Sequence, residues 1–273
     1  MPELPEVEIY ARTFAAHALN RRILRVRVLD PRILAVREAA FRRAFTRRSF
    51  GRVRRHGKHL FADAGSVWLR LHFGMTGDLS FYRDSRRTPR FARVVFDFEG
   101  GDHLAFEDVR LFGVADTVVS PEAFIAERGL GPDALDRCVT FAAFQRLLEG
   151  RRGAVKALLL SQEVVAGIGN LYADEVLFRS AIDPRRPVDD LSAREVRALQ
   201  TAMRNVLRTA IERLARGEEQ PAQWLLWHRE RGARCPRCGG VIGRSVVGGR
   251  TTYSCSRHQA VPPLASPRPS RAR

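Results

Sequence analysis

The sequence predicts a multidomain α+β protein: an N-terminal helix plus antiparallel β-sandwich, a helical middle, and a C-terminal β-ribbon around a metal site. Three observations carry this reading. Up to about residue 130, short runs of alternating apolar and polar residues are separated by turn residues. After Gly129-Leu-Gly-Pro132 the apolar positions recur every three or four residues instead. Near the end, Cys235-x2-Cys238 and Cys255-x2-His258 have the spacing of tetrahedral zinc ligands.

The elements follow in order. Pro5 to about Leu19 places Val7, Ala11, Phe14 and Ala18 on one helical face. Pro5 suits a first helical position, and Glu6 and Glu8 suit the positive end of the helix dipole. Strands are expected over Arg22–Leu29, Arg52–Arg55, His59–Ala62 and Val67–Phe73. Val94–Phe98 and His103–Phe106 flank Glu99-Gly-Gly-Asp102, a hairpin signal. Together these make a β-sandwich or flattened barrel behind one helix. Beyond it, helices are expected after Thr140, from Ala154 to Ser161, and from Leu171 to Ser180 with Asn170 as N-cap. Ser192-Ala-Arg-Glu195 is a capping box that opens a long helix ending before Gly217. Cys138 reads as a small core residue. Gln259 to Arg273, with four Pro, three Arg and no acid, reads as a disordered basic tail. The expected domains are therefore 1–131, 132–228, 229–258 and the tail 259–273.

Composition narrows the function. Lys and Arg number 47 against 30 acids, a formal charge of +17, which calls for a polyanionic partner, most simply nucleic acid. No run of ~18 apolar residues exists, and the N-terminus carries acids where a leader needs bases. A cytoplasmic enzyme without membrane contact is expected. Four cysteines, three of them clustered late, argue against a disulfide framework. Only Lys58 and Lys156 among the 47 cations are lysine. Lysine, unlike arginine, can give up its proton, so these two positions stand out.

The opening Met1-Pro-Glu-Leu-Pro-Glu6 has a chemistry of its own. Removal of Met1 before the small Pro2 exposes a secondary α-amine, which titrates near ~8 against ~10.4 for lysine. Such an amine can attack a sugar C1′ and form a Schiff base, while Glu3 and Glu6 move protons. The same residues also serve a plain helix start, and taken alone they leave both readings open.

Five separated motifs together resemble the formamidopyrimidine-DNA glycosylase / endonuclease VIII family of base-excision repair enzymes. They are Pro2-Glu-Leu-Pro-Glu-Val-Glu8, Arg55-His-Gly-Lys58, Leu71-His-Phe-Gly-Met-Thr-Gly77, Gly167-Ile-Gly-Asn-Leu-Tyr-Ala-Asp-Glu175 and the terminal ribbon. The resemblance spans residues 1–258 and implies a helix-two-turn-helix middle domain and one structural Zn2+ per chain, held by Cys235, Cys238, Cys255 and His258. It implies a monomeric, bacterial-type, nucleoid-associated enzyme acting on double-stranded DNA with damaged bases or abasic sites. Pro2 would be the nucleophile, Glu3 the acid at the sugar, and Lys58 a proton donor in base loss and β-elimination. His72, Asn170 and Arg250 would grip phosphates around an extruded nucleotide, with Arg250 also assisting δ-elimination. Glu6 and Glu175 match the family's buried acids, and Arg151 and Lys156 match basic residues facing DNA. Met75, Arg110 and Phe112 match side chains that fill the gap left by the flipped base.

The sequence also departs from the family's pattern. The fourth metal ligand is His258 where Cys is usual, and Arg90-Phe-Ala-Arg93 lacks the histidines expected there. Only Glu218–Arg234 separates the long helix from the ribbon, where the 8-oxoguanine-recognising branch has a longer Gly/Ser/Thr-rich loop. That shortage pulls the substrate expectation toward endonuclease VIII-like oxidised pyrimidines or abasic sites, with Trp224 and Trp227 offering stacking surface in place of the lid. A rival of another class is a non-catalytic zinc-ribbon DNA-binding protein. It gives no reason for a free secondary amine near Lys58.

Overall fold

In the computed structural model, which describes residues 1–260, helix α1 (Leu4–Ala18) joins two cores. Val7, Ala11, Phe14 and Ala18 pack into a β-sandwich, while Leu4 belongs to the core of the helical region. The face foreseen from the apolar spacing is the face that is buried. One end of the chain is thereby fixed to both major units.

The sandwich has two antiparallel four-stranded sheets. The first orders β1 (Ile23–Val28), β6 (Ala92–Phe98), β7 (His103–Asp108) and β5 (Gly77–Tyr82). The second orders β2 (Arg52–His56), β3 (His59–Asp63), β4 (Trp68–His72) and β8 (Val114–Val118). Aromatic side chains from both sheets and from α2 (Glu38–Phe45) interlock between them, among them Phe41, Phe45, Phe50 and Phe96. The single helix expected here is therefore an undercount. Besides α1, the region carries α2 and α3 (Pro121–Glu127), which at about two turns each fall below the window over which helical periodicity is read.

The helical region comprises α4 (Phe141–Leu148), α5 (Val155–Leu160), α6 (Asn170–Ser180) and α7 (Ala193–Ala215). Thr140 and Ser192 cap α4 and α7 through their hydroxyls, as their positions predict. Asn170 does not cap α6. It is the helix's first residue, and Gly169 takes the cap position. Cys138 lies in an exposed turn rather than in a core.

The ribbon pairs β9 (Ile242–Val247) with β10 (Arg250–Cys255) through Gly248-Gly249. Both glycines have positive φ, 57° and 70°, the demand of a two-residue turn that matches strand twist. A Cβ on Gly248 would stand 3.0 Å from that of Ala157, so the turn lies against α5. Gln259 is not the start of a loose tail: its side chain joins the Cys255 N–H to the Ile182 carbonyl. The remainder of the expected tail, 261–273, lies outside the described residues. Among the described residues no helix is long and apolar enough to cross a membrane.

Candidate active site and nucleic-acid face

The first residues are tied into the helical region by hydrogen bonds. The Leu4 N–H donates to the Gly167 carbonyl at 3.0 Å. Glu3 is 1 % exposed, and its carboxylate accepts from the backbone N–H groups of Gly169 (2.7 Å), Leu171 (2.9 Å) and Tyr172 (3.4 Å). The anion that occupies the start of α6 is thus Glu3 itself. The glycines of Gly167-Ile-Gly169 serve this approach. A Cβ on Gly169 would stand 2.3 Å from the Glu3 carboxyl carbon, and one on Gly167 would stand 2.5 Å from Leu4. Glu6 completes a capping box by accepting from the Glu3 N–H at 2.8 Å, and it accepts from the Tyr172 hydroxyl at 2.7 Å.

Next to Gly169, whose N–H donates to Glu3, lies a cavity of about 240 Å³ lined also by Met1, Lys58, His72, Asn170, Gln162 and Arg250. Four elements far apart in sequence converge there. Lys58 comes from the two-residue turn between β2 and β3, which sits against Ala166 and Gly167 so closely that only Gly57 fits. His72 ends β4, Asn170 opens α6, and Arg250 opens β10. Burial pushes the Glu3 carboxyl up while the Lys58 charge opposes it. Burial pushes Lys58 down, against the pull of Glu3 and with help from Arg250. Burial, together with the Arg70 and Lys58 charges, lowers His72 to about 4, so its ring is neutral. Its Nδ1 faces the Gly74 N–H at 3.3 Å, which places the ring proton on Nε2. Asn170 gives one amide N–H to the Thr251 carbonyl at 3.0 Å and keeps a second.

Met75, Arg110 and Phe112 stand together on two touching loops. Met75 is 42 % exposed and Phe112 53 %, with the Arg110 guanidinium 4.7 Å from the Phe112 ring centre. These two apolar side chains share one loop cluster with a cation, an arrangement suited to a stacked base. The organiser is Asp108, fully buried, which accepts from the Thr76 hydroxyl and from the Arg110 and Gly113 N–H groups. Sequence reasoning passed over Asp108, since nothing distinguishes it from an ordinary strand-end acid.

Other expected site residues fall differently. Arg151 is exposed after α4 and bonds only the Leu147 carbonyl. Glu175 is buried, pairing with Arg179 and accepting from the Leu226 N–H. Lys156 corrects the expectation that it faces DNA. It is 0 % exposed, with its ammonium 2.7 Å from Asp174 and 2.7 Å from the Thr252 hydroxyl. Trp224 is buried and offers no stacking face, whereas Trp227 is half exposed. The donor atoms of Cys235, Cys238, Cys255 and His258 all lie within 4.8 Å of one another, a spacing that fits one metal ion. His258 also places its other ring nitrogen 3.3 Å from the Phe178 carbonyl, the usual second contact of a ligating imidazole.

Residues 1–115 match the family model of the formamidopyrimidine-DNA glycosylase N-terminal domain, and residues 130–220 match its H2TH domain. A formamidopyrimidine-DNA glycosylase of Cereibacter sphaeroides is 36 % identical over 93 % of this chain and 98 % of its own length. The chain belongs to the formamidopyrimidine-DNA glycosylase family. A formamidopyrimidine-DNA glycosylase of Geobacter metallireducens is 34 % identical, with 95 % of this chain and all of that protein covered. The fold likewise matches Lactococcus lactis formamidopyrimidine-DNA glycosylase bound to abasic-site DNA (TM-score 0.84, 24 % identity, 95 % and 100 % covered). It also matches a MutM complex with DNA containing carbocyclic 8-oxoguanine (TM-score 0.86, 24 % identity, 95 % and 100 % covered). Both relatives and both family models carry the formamidopyrimidine name, so the endonuclease VIII alternative and the non-catalytic binder gain no support from them.

Proposed function

We propose that this member of the formamidopyrimidine-DNA glycosylase family is a bifunctional DNA glycosylase and abasic-site lyase that works through the amine of Pro2. The observation that carries this reading is the cavity that gathers the N-terminus, Lys58, His72, Asn170 and Arg250 next to Gly169, whose N–H donates to buried Glu3. A structural helix start needs none of Lys58, His72, Asn170 or Arg250.

Once Met1 is removed, the Pro2 nitrogen attacks C1′ of the extruded nucleotide and the bond to the base breaks. Lys58 supplies a proton as the base leaves. Opening of the C1′–O4′ bond, with Glu3 protonating O4′, leaves an iminium between Pro2 and the sugar. Loss of a C2′ proton then expels the 3′-phosphate, and a second elimination expels the 5′-phosphate. Hydrolysis of the iminium frees Pro2. His72 Nε2–H, the spare Asn170 N–H and Arg250 hold phosphates in place, and Met75, Phe112 and Arg110 fill the vacated stack. Cys235, Cys238, Cys255 and His258 hold one zinc ion, which folds the ribbon that presents Arg250. All four positions being protein ligands, the zinc is structural.

Because exposed Arg151 makes no ion pair among the described residues, it is assigned to a phosphate. Binding to abasic-site DNA should weaken by ~0.9 in log K per phosphate contact per log unit of salt. Arg151→Ala should flatten that line by about one contact, measured by anisotropy between low and moderate salt. An unchanged slope would remove Arg151 from the DNA face.

Substrate choice follows from the short segment after α7. Beside Glu6, a cavity of about 440 Å³ is lined by Leu171, Tyr172, Glu218, Glu219, Gln220, Leu226 and Trp227. It offers carboxylates and an aromatic face but few free donors, since the Trp227 N–H is used by the Gln220 carbonyl. Readout by hydrogen bonds discriminates strongly only where such groups exist, whereas stacking tolerates many bases. Single-turnover rates should therefore rank abasic sites first, formamidopyrimidines and oxidised pyrimidines next, and 8-oxoguanine opposite cytosine last. Cleavage at 8-oxoguanine as fast as at the abasic site would show that recognition does without the longer loop.

A further inference from the structure

Arg250 leaves the ribbon turn with its side chain exposed and, among the described residues, without any hydrogen bond or ion pair. Its position is therefore set by the backbone that follows it. That backbone is held at three consecutive residues by groups from the helical region. The Thr251 carbonyl accepts from Lys156 Nζ (3.2 Å) and Asn170 Nδ2 (3.0 Å). The Thr252 hydroxyl accepts from Lys156 Nζ at 2.7 Å and donates to the Arg250 carbonyl at 2.9 Å. The Tyr253 N–H donates to Asp174 Oδ2 at 3.2 Å.

Asp174 is fully buried and balances two cations: Lys156 at 2.7 Å on one oxygen and Arg229 at 2.8 Å on the other. Arg229 comes from the short segment between α7 and the ribbon. It also donates to the Asn170 carbonyl at 3.4 Å and lies 5.1 Å from the Tyr253 ring centre. Three chain segments thus meet on one carboxylate, and both outlets of the network, Arg250 and Asn170, line the cavity next to Gly169. Burial of this many charges costs stability unless each is paired, and a nearby apolar contact would serve ribbon docking equally well. What an ionic network adds is a fixed register between the two phosphate-gripping side chains.

We propose that Lys156, Asp174 and Arg229 are positioning residues that act through Thr252 to fix Arg250, and through Asn170, for the second elimination. The proposal rests on the elimination role given to Arg250 above. An error of about 1 Å in such a group can cost on the order of 10²-fold in rate. The cleanest probe leaves the charges alone. Thr252→Val removes the hydroxyl relay at nearly constant shape, and Thr252→Ser retains it.

On abasic-site duplexes, with zinc content measured in parallel, Thr252→Val should keep one metal per chain and form the first-elimination product within about twofold of the wild-type rate. Its conversion to the second-elimination product should fall on the order of tenfold, and Thr252→Ser should restore it. Arg229→Ala should shift the same product ratio in the same direction. An unaltered product ratio in Thr252→Val, a Ser variant no better than the Val one, or loss of metal from Thr252→Val would each overturn the proposal. In the last case the contacts would serve ribbon folding alone. A wild-type protein that itself stops after the first elimination would instead remove the role of Arg250, whatever the Thr252 variants do.

Discussion

Cys238→Ala should lose its zinc and its affinity for abasic-site DNA together, the latter on the order of tenfold or more. Apart from the polar contacts of β10 with Lys156, Asn170 and Asp174, the ribbon has little apolar burial to hold it. The cluster beneath it is Phe178, Leu225 and Ile242 with Cys235 and Cys255, so two of the five buried members are candidate metal ligands. A unit this small buries too little apolar surface to fold unaided, so metal binding and folding are one event. Unfolding it releases Arg250 from the cavity and frees the contacts of Lys156 and Asp174 on β10. Metal analysis and binding isotherms on the purified variant check this. Retained zinc, or binding indifferent to a chelator, would count against the assignment.

Glu3→Gln should lower abasic-site cleavage by about 10²–10⁴-fold, the usual span for a lost general acid. The amide also sets a donor against the N–H groups of Gly169 and Leu171, so the start of α6 should loosen by about 1 kcal/mol, comparable to a lost cap. That small term does not explain so large a fall in rate. The pH profile separates the two. Glu3 works protonated, so its contribution disappears as pH rises through its pKa. Burial lifts that pKa above the ordinary 4.5, with Lys58 opposing, so the decline is displaced upward from the usual carboxylate range. In Glu3→Gln that limb should vanish, leaving a low rate that follows only the ionisation of the Pro2 amine. A variant with wild-type profile shape would assign the limb to another group.

Much of this site was legible in the sequence because it rests on short local patterns. The Cys/His spacing, the Gly248-Gly249 turn and the apolar face of α1 each follow from geometry within a few residues. The two lysines were singled out as the only ones in a chain rich in arginine. In the structure burial lowers both, although only Lys58 lines the cavity. Lys156 is assigned to the DNA face by the family resemblance alone, and the buried partners that overrule this lie far along the chain. Its partner Asp174 lies eighteen positions away on another helix, and its second contact, Thr252, lies on the ribbon. Long-range pairing of this kind leaves no local trace, and the same holds for Asp108 beneath the Met75–Phe112 loops. The glycines of Gly167-Ile-Gly169 stand in a motif visible in the sequence, but the group they admit, Glu3, lies 166 residues earlier.

In the mechanism proposed above, the Pro2 amine forms the covalent bond to DNA. Borohydride reduction during reaction with abasic-site DNA, followed by peptide mapping of the adduct by mass spectrometry, tests it most directly. The account predicts a reduced sugar remnant on the nitrogen of Pro2, with Met1 absent, and partial trapping by Pro2→Gly through its primary amine. Met1 intact in the active protein, an adduct mapped to Lys58, or full trapping by Pro2→Gly would contradict it.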